Sequence, residues 1–244
     1  MPVRYLFLLL GVGLWWACGP KKESRPEGEA SASAGVQRLY VHAADGLVLR
    51  KTPAKDGEKI AVVPRDTVPV TVLAPAAPNQ RYVAEKAGDF ELSGGWVKVC
   101  TASGQEGYLF EGYLLPFPPL KDWPGGDMMD VEVAYSYVSK PTKREKLEEP
   151  ELMEGYRQYY QDGAFCDTKI YHGGSTFIFS IPASSLTLQQ ALVLFRPLWF
   201  RESSEPLRQE PEREGVFVSG DGGYSFMSVA LKGDRVVVEM GSAD

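Results

Sequence analysis

Two histidines and three cysteines bound the side-chain chemistry open to this 244-residue chain. A thiolate nucleophile needs a base within hydrogen-bond reach and usually a third group to orient it. For Cys166 the base would have to be His172, six residues on and on the same predicted strand or its turn. His172-Gly173-Gly174-Ser175 has the glycine-rich look of an oxyanion-hole loop, yet no Gly-x-Ser-x-Gly elbow exists anywhere to use it, so a hairpin turn is expected. Ser219-Gly220-Asp221-Gly222-Gly223 is oxygen-rich, but it offers one carboxylate where a calcium loop needs several at fixed offsets; it too reads as a turn. The cysteines and histidines show no zinc spacing. The expectation is therefore no catalytic residue, no metal and no cofactor.

The elements that would position side chains are short. With 44% hydrophobic residues, 18 prolines and 25 glycines, the composition favours many strands and turns over long helices. Gln37–Val41 reads as a first strand, and Asp45-Gly46 turns the chain into Leu47–Arg50. Ile60–Val63 and Val68–Leu73 follow, then a long polar loop from Ala74 to Ser93, then Trp96–Thr101 and Gly107–Phe110. Alternation of apolar and polar residues between Gly, Pro and Asp punctuation is what antiparallel strands require.

Four blocks in this region occur in a telling order: Leu47-Val48-Leu49-Arg50 with Pro53, Lys59-Ile60-Ala61-Val62-Val63-Pro64 through Val70, Gly95-Trp96-Val97-Lys98-Val99, and Gly104 with Gly107-Tyr108-Leu109 through Tyr113-Leu114. Together they resemble the bacterial SH3 domain family over residues 36–117. The resemblance implies a small β-barrel that binds cell-wall peptides or serves as an interaction and targeting module. Tyr40, Trp96, Tyr108 and Tyr113 are the candidate ligand contacts, because rigid aromatic faces give large contact area at low entropic cost. Trp96, opening a strand after Gly94-Gly95, is better placed to fill the barrel core than to meet a ligand. Such modules often precede a cysteine peptidase of the cell wall, but Phe165-Cys166-Asp167-Thr168 lacks the Asp-Cys-Ser-x-Gly setting of those enzymes.

Residues 118–244 are expected to form an α+β domain, giving a mainly β chain overall: an SH3-like barrel followed by α+β. Pro116–Pro119 and Pro124-Gly125-Gly126 make the connection, stiff and then flexible. Asp130–Ser139 alternates as a strand. Glu149-Pro150-Glu151 reads as a helix start, with Leu152, Tyr156, Tyr159 and Tyr160 at helical spacing. Cys166–Tyr171 and Thr176–Ile181 read as strands. Thr187-Leu188-Gln189-Gln190 offers a Thr-x-x-Gln capping box for a helix whose apolar face is Leu188, Ala191, Leu192 and Phe195, with Pro197 as its stop. Arg201–Glu214 is a charged loop, and Tyr224–Leu231 with Arg235–Met240 forms a hairpin about Gly233-Asp234.

The first residues describe delivery. Arg4 and the apolar run Leu6–Trp16 form a signal peptide (1–17), too short for a span of roughly 30 Å. Ala17-Cys18-Gly19 resembles the lipobox of bacterial lipoproteins, which implies lipid attachment at Cys18; an ordinary signal peptide cleaved nearby is the alternative. Residues 18–35 are small and charged, a flexible tether. With Cys18 lipidated, Cys100 and Cys166 form an even pair in an exported protein, either joined as an interdomain disulfide or buried as two thiols.

Residues 36–117 balance nine basic against nine acidic side chains, whereas 118–244 carry 13 against 20. An acidic chain without a basic face is a poor binder of phosphate backbones, so nucleic acid is not an expected partner. The combined expectation is a lipid-anchored envelope protein, on the periplasmic or surface side, that holds a cell-wall peptide or an envelope protein. The rival is a cell-wall hydrolase using carboxylates of residues 118–244.

Overall fold

Period-two alternation decides this fold. In Trp96–Cys100 and Glu106–Phe110, Val97, Val99 and Leu109 turn to one side, while Trp96 and Phe110 turn to the other. The strands therefore contribute to two cores at once. The structure, a computed structural model, describes residues 37–66, 68–119, 135–199, 207–209, 215–220 and 225–243. The signal peptide, Cys18, the tether, Pro124-Gly125-Gly126, most of the charged loop at 201–214 and Asp221–Gly223 lie outside them.

The described residues are mainly β, with three antiparallel sheets and one short α-helix. The first sheet is built from β1 (Arg38–Val41), β2 (Leu47–Arg50), β3 (Lys59–Val63), β4 (Val70–Ala74), β7 (Trp96–Cys100), β8 (Glu106–Phe110) and β9 (Leu114–Leu115). Its order is β3-β2-β8-β7-β4-β1-β9. One turn of 3₁₀ helix, Glu111–Tyr113, joins β8 to β9. Leu39, Val41, Leu49, Val63, Val70, Val97, Val99, Leu109 and Leu114 fill the core on one side of this sheet.

The segment read from sequence as a long polar loop, Ala74–Ser93, instead carries a hairpin. β5 (Tyr82–Ala87) pairs with β6 (Phe90–Gly94) across Gly88-Asp89, and Gly88 takes φ +56°. Alternation there is masked by Glu85, Lys86 and Glu91, so hydropathy gives little sign of it. The Gly-Asp turn is the readable signal.

The third sheet is larger: β10 (Pro141–Lys146), β11 (Glu154–Tyr160), β12 (Phe165–Tyr171), β13 (Gly174–Pro182), β14 (Val216–Gly220), β15 (Ser225–Lys232) and β16 (Arg235–Ala243), in the order β10-β11-β12-β13-β16-β15-β14. The expected hairpins are present. His172-Gly173 is the turn between β12 and β13, and Lys232 pairs with Arg235 across Gly233-Asp234.

Two predicted elements differ. The tyrosine stripe is strand β11 rather than a helix: Tyr156 and Tyr160 are buried, while Tyr159 points to the opposite face and donates to Glu145. Tyr156 and Tyr160 satisfy both i,i+4 helical spacing and strand alternation, and pairing on both sides with β10 and β12 selects the strand. The described end of the predicted strand Asp130–Ser139 is a helical turn, in which the N–H groups of Val138 and Ser139 both donate to Tyr135 O. Tyr135 is fully buried against Tyr160, Phe179 and Phe195, whereas Tyr137 is exposed, so they do not share a strand face.

The helix, α1 (Leu188–Trp199), begins at the predicted capping box. Gln190 N–H donates to Thr187 Oγ1 at 3.2 Å, and Thr187 N–H to Gln190 Oε1 at 2.9 Å. Pro197 does not stop it at once but sits in its last turn. Ala191–Phe195 are all buried, an apolar surface wider than the predicted stripe. Such a helix is covered on more than one side. It packs on β15 and β16 and also meets the 3₁₀ turn of the first sheet. One hydrophobic core accordingly runs from Leu92, Trp96, Phe110 and Leu115 through α1 to Phe177, Phe179, Val238 and Met240, across the sequence position near 118.

Candidate functional site

Where α1, the β5–β6 hairpin and the turn after β1 meet, they leave a cavity of about 260 Å³. Its first wall is the turn Ala43–Gly46. Gly46 holds φ +78°, and a Cβ there would stand 2.6 Å from Val63 O, so the tight turn requires glycine. Leu47, Leu92, Leu192, Val193 and Pro197 supply the aliphatic lining.

The polar groups come from four separate elements. Glu85 on β5 accepts from Tyr113 OH at 2.5 Å through Oε1 and from Arg196 Nη1 at 2.7 Å through Oε2. The Arg196 side chain is 12% exposed and that of Glu85 28% exposed, so this ion pair is largely shielded from water. Burial, reinforced by the bond to Glu85, pushes the Tyr113 phenol well above its usual range. The group is a neutral donor at any physiological pH.

His42, following β1, is 1% exposed. Its main-chain N–H donates to Tyr113 O at 2.9 Å, and its Nε2 lies 2.9 Å from Phe117 O. A carbonyl only accepts, so Nε2 carries the proton and Nδ1 is left as a lone-pair acceptor. Nδ1 is buried and has no hydrogen-bond partner among the described residues. Desolvation lowers the His42 pKa to about 4, against the raising effect of the Phe117 carbonyl, with the Arg65 charge adding to the depression. The imidazole is therefore neutral at pH 7.

The four predicted aromatics do not converge. Tyr113 lines the cavity. Trp96 is 8% exposed, in the shared core against Tyr82 and Phe110, with the Arg50 guanidinium 5.9 Å from its ring centroid. Tyr108 is half-buried, opposite Lys98 and Arg50 on the neighbouring strands. Tyr40 is half-buried opposite Leu115. No disulfide joins Cys100, which is half-buried, to Cys166, which is fully buried. His172 is exposed in its turn at the far end of the strand from Cys166, so no thiol–imidazole pair forms. Among the described residues no group of three or more His, Cys, Asp or Glu is gathered to hold a metal ion.

Glu85 and Arg196 were missed from sequence. For Arg196 a signal existed: it is the one charged residue in the helix Leu188–Trp199, placed where solvent exposure would otherwise be demanded. An ion pair, a phenol and the Asp45 carboxylate stand around an aliphatic hollow. No family model, no curated protein and no solved structure matches this chain.

Proposed function

We propose that the protein is an exported, lipid-anchored binding protein of the cell envelope that holds a cell-wall peptide or a protein partner, with residues 36–117 as an SH3-like barrel and residues 118–244 completing the binding surface. The observation that carries this reading is the cavity at the junction of the two parts. Its polar groups, Glu85, Tyr113 and Arg196, are locked to one another rather than poised as nucleophile and base. The barrel reading is supported by the strand order of the first sheet and by the 3₁₀ turn before its last strand. Attachment rests on the lipobox-like Ala17-Cys18 and the tether to residue 35.

Full-length protein in mild detergent should sediment with purified peptidoglycan at moderate salt. Absence of retention at any salt sinks the wall-binding version, and release of soluble muropeptides would point to hydrolysis instead. Separately, Cys18→Ser should move the expressed protein from the detergent phase to the aqueous phase. Unchanged partitioning would remove the lipid anchor from the proposal.

A further inference from the structure

A sheet edge presents a row of main-chain donors and acceptors, and folded proteins guard such edges with charge, proline, bulges or very short strands. Among the edge strands whose side chains are described, β9 has two residues, β5 carries Glu85 and Lys86, and β6 is met by the Gln189 side chain. β10 carries Pro141, Lys143, Arg144 and Lys146, with an irregularity in its pairing to β11. β3 differs from all of these. It ends the first sheet, pairs with β2 alone, and has neither charge nor proline from Ile60 to Val63. We propose that β3 is a docking edge for an extended segment of a protein partner, which adds a strand beside it and places an aliphatic side chain in the adjoining hollow. This rests on the binding reading above and selects its protein-partner version.

The occupant follows from what surrounds the edge. Beside β3 lies a hollow of about 230 Å³, walled by Val62, Val63, Val68, Pro69 and Val70 and by the β7–β8 turn. Val62 and Val68 are exposed on it. The turn spends its polar groups on itself: Thr101 Oγ1 and Ser103 Oγ bond at 3.0 Å, and Gln105 N–H donates to Thr101 Oγ1 at 3.1 Å. Asp66 is the one charged residue lining the hollow; its carboxylate accepts from Val68 N–H at 2.8 Å and turns away an acidic side chain. The walls therefore suit an aliphatic residue, and the edge beside them suits an extended backbone, as in strand addition. Two other occupants fit less well. Gly19–Gly35 contain no large apolar residue to fill the hollow. Two copies of β3 paired antiparallel about Val62 would set Lys59 against Arg65 at both ends, and like charges directly opposite destabilise a ladder.

Full-length protein in mild detergent is titrated into fluorescein-labelled Thr-Val-Thr-Val-Thr amide. Anisotropy should rise saturably, and hydrogen exchange of Lys59–Val63, read by mass spectrometry, should slow while that of Pro141–Lys146 stays unchanged. The same peptide N-methylated at every residue loses its main-chain donors, and Thr-Ser-Thr-Ser-Thr amide loses its aliphatic side chains; each should bind about tenfold more weakly or worse. Val62→Lys and Val68→Lys replace exposed side chains, so the urea midpoint should hold while binding falls about tenfold. Leu231→Lys, at an exposed position on the large sheet, should bind as the parent does.

No saturable binding, equal binding of the N-methylated or serine peptide, or protection elsewhere than at β3 would each overturn the assignment. So would full protection of Lys59–Val63 in the free protein, or a dimer that Val62→Lys dissociates, since the edge would then be covered by the protein's own chain or by a second copy. The two readings fail separately. Retention on peptidoglycan without peptide binding removes the docking edge and leaves wall binding standing. Saturable peptide binding without retention removes the wall as partner and leaves the edge.

Discussion

Gln189 pairs its side-chain amide with both main-chain groups of Ser93. Nε2 donates to Ser93 O at 2.8 Å, and Ser93 N–H donates to Oε1 at 3.1 Å. A side chain from α1 thus imitates a neighbouring strand at the edge of β6 and ties the hairpin to the helix.

Because Ser93 is 8% exposed, losing this partner strands two main-chain groups away from water. Gln189→Leu should destabilise the protein by about 2–4 kcal/mol, two hydrogen bonds plus the desolvation left uncompensated. Gln189→Glu should recover only part of this, since a carboxylate can accept from Ser93 N–H but faces Ser93 O with no donor. Urea unfolding midpoints measure both. If Gln189→Leu is neutral, the pairing contributes nothing to the fold.

His42 makes stability depend on pH. Its folded pKa is about 4, while the unfolded value is the ordinary 6.5. Between these values the unfolded chain binds more protons, so stability falls as the pH drops from about 6.5 to about 4 and is fully present above that window. The whole effect is about 3 kcal/mol. The charged groups around the ring are Arg65, which opposes its protonation, and, lining the same cavity, Asp45 and the Glu85–Arg196 pair. His42→Phe should flatten this slope relative to the parent. Parallel pH profiles of unfolding free energy for the two proteins would show that the imidazole is not buried and neutral.

Alkylation settles the state of the thiols. Cys100 is half-buried at the end of β7, and Cys166 lies in the large core with no exposed surface. Without reductant, a maleimide should label Cys100 slowly in the native protein and Cys166 only after denaturation, each mapped by its own peptide. A disulfide-linked peptide pair recovered without reductant would contradict two cysteines with no disulfide between them.

Turns and alternation made most strands legible. Asp45-Gly46, His172-Gly173 and Gly233-Asp234 all turn where their residue types say they should, and the Thr187–Gln190 box starts the helix it predicts. What stayed hidden depends on partners remote in sequence. β5 carries Glu85 and Lys86 side by side, so only its pairing with β6 makes it a strand. β11 fits two periods at once, and its neighbours choose. The cavity was least legible of all, because His42, Glu85, Tyr113 and Arg196 come from four elements whose meeting point no local pattern encodes. Aromatic type was a poor guide to it, since Trp96 is spent on the core.

The Glu85–Arg196 pair should behave as a buried charge pair and not as a surface one. Arg196 is the one charged residue of its helix, and Glu85 comes from the hairpin, 111 positions away in the chain. Arg196→Met leaves the Glu85 carboxylate partly buried with only Tyr113 to solvate it, at a cost of about 3 kcal/mol. Glu85→Gln leaves the guanidinium shielded from water and without its carboxylate, with a loss of similar size. The double variant Glu85→Gln/Arg196→Met removes both charges, so it should lie well above the sum of the two, near the milder single variant. Tyr113→Phe, which deletes one charge-assisted hydrogen bond and keeps the ring against Phe110, should lose about 1.5–3 kcal/mol. Urea unfolding of the four proteins at low and high salt supplies the cycle. A coupling energy below about 0.5 kcal/mol that vanishes in salt would mark the pair as solvent-screened. In that case the hairpin is not fastened to the helix through these charges.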